Sequence, residues 1–490
     1  MSATFPTELA ANLWTGDASP TATLDATARK WGLKARMEKV GRELAAAEPV
    51  DRRDWRHPQV GWGLVLPDDD TLSAAARATA DDAPEPIREL LAARAGAPVL
   101  RYRAETGAKF LRRYYPDGSV QDIAISGAGA RGVAPGALPY YLLIYAGPDV
   151  IPWRFQYLLN QPCFVGRLTL TGTALENYVN ALIKAWDGAG CDPHQPVVWT
   201  VDHGGGDITT LMRKAIAEPV AAKLAADSDI GAGLRLLDDA EATLAALTIT
   251  LTQRQPALVV TTSHGQTGPL SDPVKMAASL GALVDGQHLT LDSDALLGAW
   301  QPDGAIWYAH ACCSAGCDNV NSYKELVPAG STLATVLDGV AALGAQVAPL
   351  PQRLLGAAKP LRAFIGHVEP TFDWTLRQPE TGQVLTDTTI AALYDHMHRA
   401  QPEPVGMAFN PGYKVVGELF QQWQQLTGQF AGATAADSRL HPADDGQRPT
   451  RRPRPPEPGD SGRPDGGAAA AVTPTQFGIT CTNAFLDGTI

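Results

Sequence analysis

The sequence predicts an α/β fold: a mostly parallel sheet flanked by helices. Three observations lead there. Short apolar runs rich in Val, Ile and aromatics alternate with stretches of helical period, the rhythm of strands covered by crossover helices. Two of those runs are Ala257-Leu258-Val259-Val260-Thr261-Thr262 and Ala305-Ile306-Trp307-Tyr308-Ala309, and both end in chemically loaded residues. The 490 residues are 45% hydrophobic and 19% charged, as expected of a globular chain able to bury a core.

Taken in order, Leu24 to Glu48 reads as an amphipathic helix. Val60 to Pro67 reads as a strand, Ile87 to Arg94 as a helix and Val99 to Arg103 as a short strand. Residues 1–135 are therefore expected to form a small N-terminal α/β accessory module, with a Gly/Pro/Ala-rich boundary between Gly127 and Pro139. Strands and helices then alternate across a domain expected at 136–430. They are Tyr140–Tyr145, Leu175–Trp186, Val197–Val201, Leu211–Leu224, Leu234–Leu237, Glu241–Thr252, Ala257–Thr262 and Ala305–Ala309. Gly268 to Trp300 supplies a substrate-facing loop with a helix over Leu289–Trp300, and Thr332–Leu343 and Val415–Leu426 complete the helices. Residues 431–472 read as a disordered linker. His441 to Ala471 holds seven prolines and nothing more apolar than Ala, too little to offset chain entropy. Residues 473–490 regain Phe, Ile and Leu as an apolar tail peptide suited to docking on the body or on a partner.

The first loaded strand continues into Ser263-His264-Gly265, and the second into His310-Ala311-Cys312-Cys313-Ser314-Ala315-Gly316. His264 and Cys312 are 48 residues apart, close to the interval of about 50 that separates His from Cys in one class of thiol nucleophiles. Neighbouring parallel strands release such residues at one sheet edge, where open α/β sheets place their sites. A thiol attacks a carbonyl as thiolate, so it needs a base, and an imidazole can take the proton and return it to the leaving amine. Backbone N–H groups of Gly265 and Cys312 are the expected oxyanion donors, and Gly265 lets the chain approach closely.

Strand-His-Gly followed by strand-Ala-Cys-x-x-x-Gly resembles the caspase–gingipain clan of cysteine peptidases, including the bacterial CHAT proteins. Pro139–Gly147, Phe164-Val165-Gly166-Arg167, Leu350–Leu355 and Phe364–Val368 resemble further elements of its bacterial members. The resemblance implies a caspase-like sheet, Cys312 as nucleophile and His264 as base, with no cofactor and no metal. Sequence alone leaves Cys313 as a rival nucleophile. The resemblance also puts His310 in the pocket for the substrate residue before the cut. With Arg154 nearby, that pocket would suit an acidic, polar or small residue. Its implied biology is a regulated peptidase, acting in stress or antiviral defence, that answers to an activating partner or small-molecule signal. A catalytically silent interaction protein on the same fold is the alternative.

Other features read more plainly. His203-Gly204-Gly205 imitates the His-Gly motif but has no Cys at the expected interval, so it reads as a strand-to-loop turn. Cys312, Cys313 and Cys317 lack the second half of a zinc site. A net charge of −12 argues against a nucleic-acid partner, and no run reaches the roughly 18 apolar residues of a membrane span. Six cysteines without a framework pattern suit a reducing, cytoplasmic setting, with a protein or peptide as substrate.

Overall fold

A computed structural model describes residues 50–436, except 107–108, 126, 128, 325–326, 379–380 and 399–401. The amphipathic helix expected at Leu24–Glu48 and the tail peptide at 473–490 lie outside the described residues, as does all of the expected linker beyond residue 436.

Two sheets carry the fold. The first contains β1 (Trp62–Pro67), β2 (Val99–Tyr102), β3 (Phe110–Tyr114), β4 (Val120–Ala124), β5 (Tyr141–Tyr145) and β6 (Phe164–Leu168), in the order β4-β3-β2-β1-β5-β6. Its β2-β1-β5-β6 portion is parallel, and β3 and β4 extend it as an antiparallel edge. The second sheet is parallel throughout. It contains β7 (Val197–Thr200), β8 (Arg235–Leu237), β9 (Leu258–Thr262), β12 (Ile306–His310) and β15 (Ala363–Ile365), in the order β15-β12-β9-β7-β8. Two hairpins, β10 (His264–Gly265) with β11 (Leu283–Val284) and β13 (Gly316–Cys317) with β14 (Gln346–Val347), stand beyond its strand ends. The architecture is thus the expected mixed α/β fold, with mostly parallel sheets flanked by helices. Every residue of β7, β9 and β12 is buried, which is why these strands read as unbroken apolar runs rather than alternating ones.

The domain boundary expected at 135/136 does not separate two sheets. β1 pairs in parallel register with β5, Trp62 opposite Tyr141 and Leu64 opposite Leu143, so strands from both sides of that boundary share one ladder. One apolar cluster joins Val65, Leu100 and Leu111 to Leu142, Ile144, Phe155 and Val165. The Gly/Pro/Ala-rich stretch marks a loop between paired strands, because such residues signal a turn and carry no information about where a core ends.

Element bounds shift for local reasons. The helix expected at Leu175–Trp186 spans Gly172–Ile183, and Ala185 and Trp186 leave it with left-handed φ of 55° and 61°. The helix expected at Leu211–Leu224 begins at Ile208, capped by Asp207, and widens to a π turn over Arg213–Ala217. Pro219 follows in the next α-helical segment, and the wide turn accommodates a residue that lacks the N–H for a regular bond. In the expected Leu289–Trp300 helix, Asp292 caps a shorter one at Ser293–Ala299 by accepting from the N–H groups of Asp294 and Ala295. Residues 431–436 of the expected linker are helical, since one helix runs through Asn410–Ala436. Among the described residues no helix is long and apolar enough to cross a membrane.

Candidate active site

β9 and β12 are adjacent and parallel, with Thr262 opposite His310, so the residues that follow them emerge at one edge. There His264-Gly265 meets Cys312. A Cβ on Gly265 would lie 1.9 Å from the Cys312 carbonyl oxygen and 2.9 Å from its nitrogen, so only glycine lets these two backbones touch. The Cys312 N–H donates to no other group among the described residues, which leaves it available to an incoming oxygen. The structure therefore brings Gly265, the neighbour of His264, against the Cys312 backbone.

His264 has a partner that the sequence did not suggest. Its Nε2 lies 3.0 Å from Asp207 Oδ2. Asp207 is held by its own capping role, its Oδ1 accepting from the Thr209 N–H at 2.9 Å and hydroxyl at 2.6 Å. Burial pushes this carboxyl upward, yet the Thr209 hydroxyl and N–H and the His264 ring outweigh it and hold Asp207 below the usual carboxylate range. An ionised Asp207 accepting Nε2–H fixes the neutral tautomer and leaves Nδ1 as the basic nitrogen. The capping sequence Asp-x-Thr ahead of a helix was visible, but its proximity to His264 arises only in the folded chain.

Cys312 and Cys313 have opposite surroundings. Cys312 is partly exposed, and its Sγ accepts from the Thr371 N–H at 3.3 Å and lies 3.5 Å from Thr371 Oγ1. These are its hydrogen-bond partners among the described residues, together with a long contact to the Thr371 carbonyl, so Sγ faces Thr371 rather than the imidazole. Cys313 is buried among Met276, Leu280, Cys317 and Val340 with a left-handed φ of 54°. Burial pushes its thiol well above the ordinary cysteine range, which disfavours the thiolate at that position. The segment after β15 cradles this turn, with Cys313 N–H donating to the Glu369 carbonyl and Ala315 N–H to that of His367.

His310 does not line an opening. It is 2% exposed, with Nδ1 2.9 Å from His367 Nε2 and 3.1 Å from the Tyr308 hydroxyl. Burial first, and then the neighbouring His367, hold its imidazole well below the ordinary value, and burial holds His367 down at about 4. The expected pocket residue is instead half of a neutral packed pair, because the last inward position of a strand buried on both faces points into the core. Arg154 is exposed in the first turn of the helix Trp153–Leu159, where its charge reaches Asp318.

Glu369, two residues before Thr371, shares a shallow cleft with Asp318, Ser322, Tyr323 and Leu337. Its Oε2 is shielded from solvent and has no hydrogen-bond partner among the described residues. Burial and then the Asp318 charge push Glu369 well above the usual range, against a hydrogen bond from Ser322. Burial raises Asp318 as well, opposed by the Asn319 N–H and by Arg154 and Arg167. Neither acid stood out in the sequence, since Asp318 follows a short hairpin strand and Glu369 a histidine strand with no motif of its own.

No family model matches this chain, and no curated protein matches it in sequence. Among solved structures, one described as "Structure of Protease" aligns at a TM-score of 0.37 and 13% sequence identity. The alignment covers 66% of this chain and 62% of that one. A TM-score this low carries no argument about shared fold or activity.

Proposed function

We propose that this protein is a cysteine endopeptidase of caspase-like type. The observation that carries the reading is the meeting of His264-Gly265 with Cys312 at one strand edge, with Asp207 hydrogen-bonded to the imidazole. In this mechanism His264 Nδ1 takes the Cys312 proton as Sγ adds to the scissile carbonyl carbon. The Cys312 N–H, with that of Gly265, receives the oxyanion. The imidazolium then protonates the departing amine, and water cleaves the thioester with His264 again as base. Asp207 steadies the imidazolium without itself taking the proton. Cys312 first turns its Sγ from Thr371 toward the ring.

The acidic, polar or small preference expected from His310 loses its support, because that ring is buried. The activating signal and the stress or defence role rest on the sequence resemblance, and the cytoplasmic setting rests on the cysteine usage. A second reading, the silent interaction protein, draws on Sγ engaging Thr371 rather than His264. Incubating the full chain and its Cys312→Ala variant with a diverse peptide library decides between them. The peptidase reading expects cuts that vanish in the variant. No cuts from either chain, or identical cuts from both, contradict it.

A further inference from the structure

His203, which resembled a mere turn residue in sequence, stands in the middle of a column of three imidazoles. Its ring centroid is 5.5 Å from that of His264 at an interplanar angle of 15°, and 4.3 Å from that of His288 at 7°. Its Nε2 is shielded and has no hydrogen-bond partner among the described residues. What His203 offers its neighbours is therefore the flat face of a ring rather than a hydrogen bond.

Both flanks of the column are anchored. The His203 backbone N–H donates to Thr209 Oγ1 at 3.0 Å, and that same hydroxyl donates to Asp207, the carboxylate that holds His264. One capping unit thus fixes both the ring and its backing. On the far side, His288 is exposed with a left-handed φ of 62°. It is set by the turn in which buried Asp285 accepts from the N–H groups of Gln287, Leu289 and Leu244. The charged and titratable groups facing His203 are Asp202 on its own loop, Asp207 at the helix start, His264 on β10 and His288 after β11. Burial, followed by His288 and His264, lowers the His203 imidazole, so the middle ring of the column favours its neutral form.

We propose that His203 is a positioning residue of the Cys312–His264 site, a back wall that holds the His264 ring in the plane where one nitrogen meets Asp207 and the other faces the thiol. The inference rests on the Cys–His reading above. Asp207 alone leaves His264 free to swing about a single hydrogen bond, and a packed ring face removes that freedom. Because the wall acts through its face, a Phe at this position preserves it and an Ala does not.

The test is the rate at which iodoacetamide alkylates Cys312 in the full chain between pH 5 and 9, followed on the Cys312 peptide by mass spectrometry, with folding checked by thermal unfolding. His203→Ala is expected to slow alkylation at pH 7 by about 10-fold, with His203→Phe within about 2-fold of the parent. His288→Ala, an exposed change that strips the far face, is expected to slow it about 3-fold, and it keeps the test decisive if His203→Ala does not fold. An unchanged rate in His203→Ala or in His288→Ala, or a loss in His203→Phe as large as in His203→Ala, overturns the proposal. His264→Ala separates the two levels of the argument. If it alkylates like the parent, the Cys–His pairing itself is wrong. If it is slow while the His203 and His288 variants are not, the pairing stands and the wall falls.

Discussion

Two sets of histidines occupy this molecule, one on an open rim and one beneath it. His264 keeps 34% of its side chain in solvent and Asp207 keeps 32%, and the pair is joined by a hydrogen bond. His310 and His367 are each 2% exposed, packed edge to face at 4.3 Å, and among the described residues neither has a carboxylate partner. A carboxylate lets an imidazole hold a proton transiently, whereas burial without one forbids the charge. The comparison teaches that accessibility plus a carboxylate permits a histidine to carry a proton, while closeness in sequence to the proposed nucleophile does not. His310 is two residues from Cys312 and inert, and Asp207 is more than a hundred residues away and in the site.

The largest effect that sharpens this contrast is loss of the nucleophile. Cys312→Ala should abolish cleavage, a fall of at least ~10³-fold in kcat/KM measured on a peptide the parent cuts. Next, Asp207→Asn should lower kcat about 100-fold with KM little changed, because the amide no longer stabilises the imidazolium. Equal activity would reduce the rim to a simple dyad.

The buried pair has its own signature. The unfolded chain takes up protons on these histidines below about pH 6.5, and folded His367 does so only near 4, with His310 also held low. Stability is therefore intact above pH 6.5 and is lost as pH falls toward 4, by roughly 3 kcal/mol from His367 alone. His398, held down at about 4 by burial, adds to the same loss. Urea midpoints measured from pH 7.5 to 4 should decline over that window, and a flat profile would mean the pair charges without penalty. The smallest effect belongs to Cys313→Ala. Cleavage should persist unchanged, with about 1 kcal/mol of stability lost from the cluster around Met276 and Leu280.

Much of this was legible in sequence, and the rest was hidden for physical reasons. The parallel sheet announced itself because β7, β9 and β12 are buried on both faces and so read as continuous apolar runs. His264 and Cys312 drew notice because each stands two residues past the end of such a strand. Asp207 and His203 were not, since they lie on a Gly-rich loop after β7 whose path to His264 is set by tertiary packing. Glu369 and Asp318 were hidden because burial and mutual repulsion, which make them unusual, are properties of the folded chain. The misplaced boundary at 135/136 shows the converse limit, a clear loop signal that falls between two strands of one sheet.

The most direct test is covalent capture at the rim. The full chain, with its His264→Ala and Cys312→Ala variants, would be treated with a panel of peptidyl acyloxymethyl ketones differing in their last residue, and the adduct located by peptide mass spectrometry. The account predicts one adduct, on Cys312, absent in Cys312→Ala and strongly reduced in His264→Ala. Labelling that falls on Cys313 or Cys191, or that reaches Cys312 equally well without His264, would contradict it.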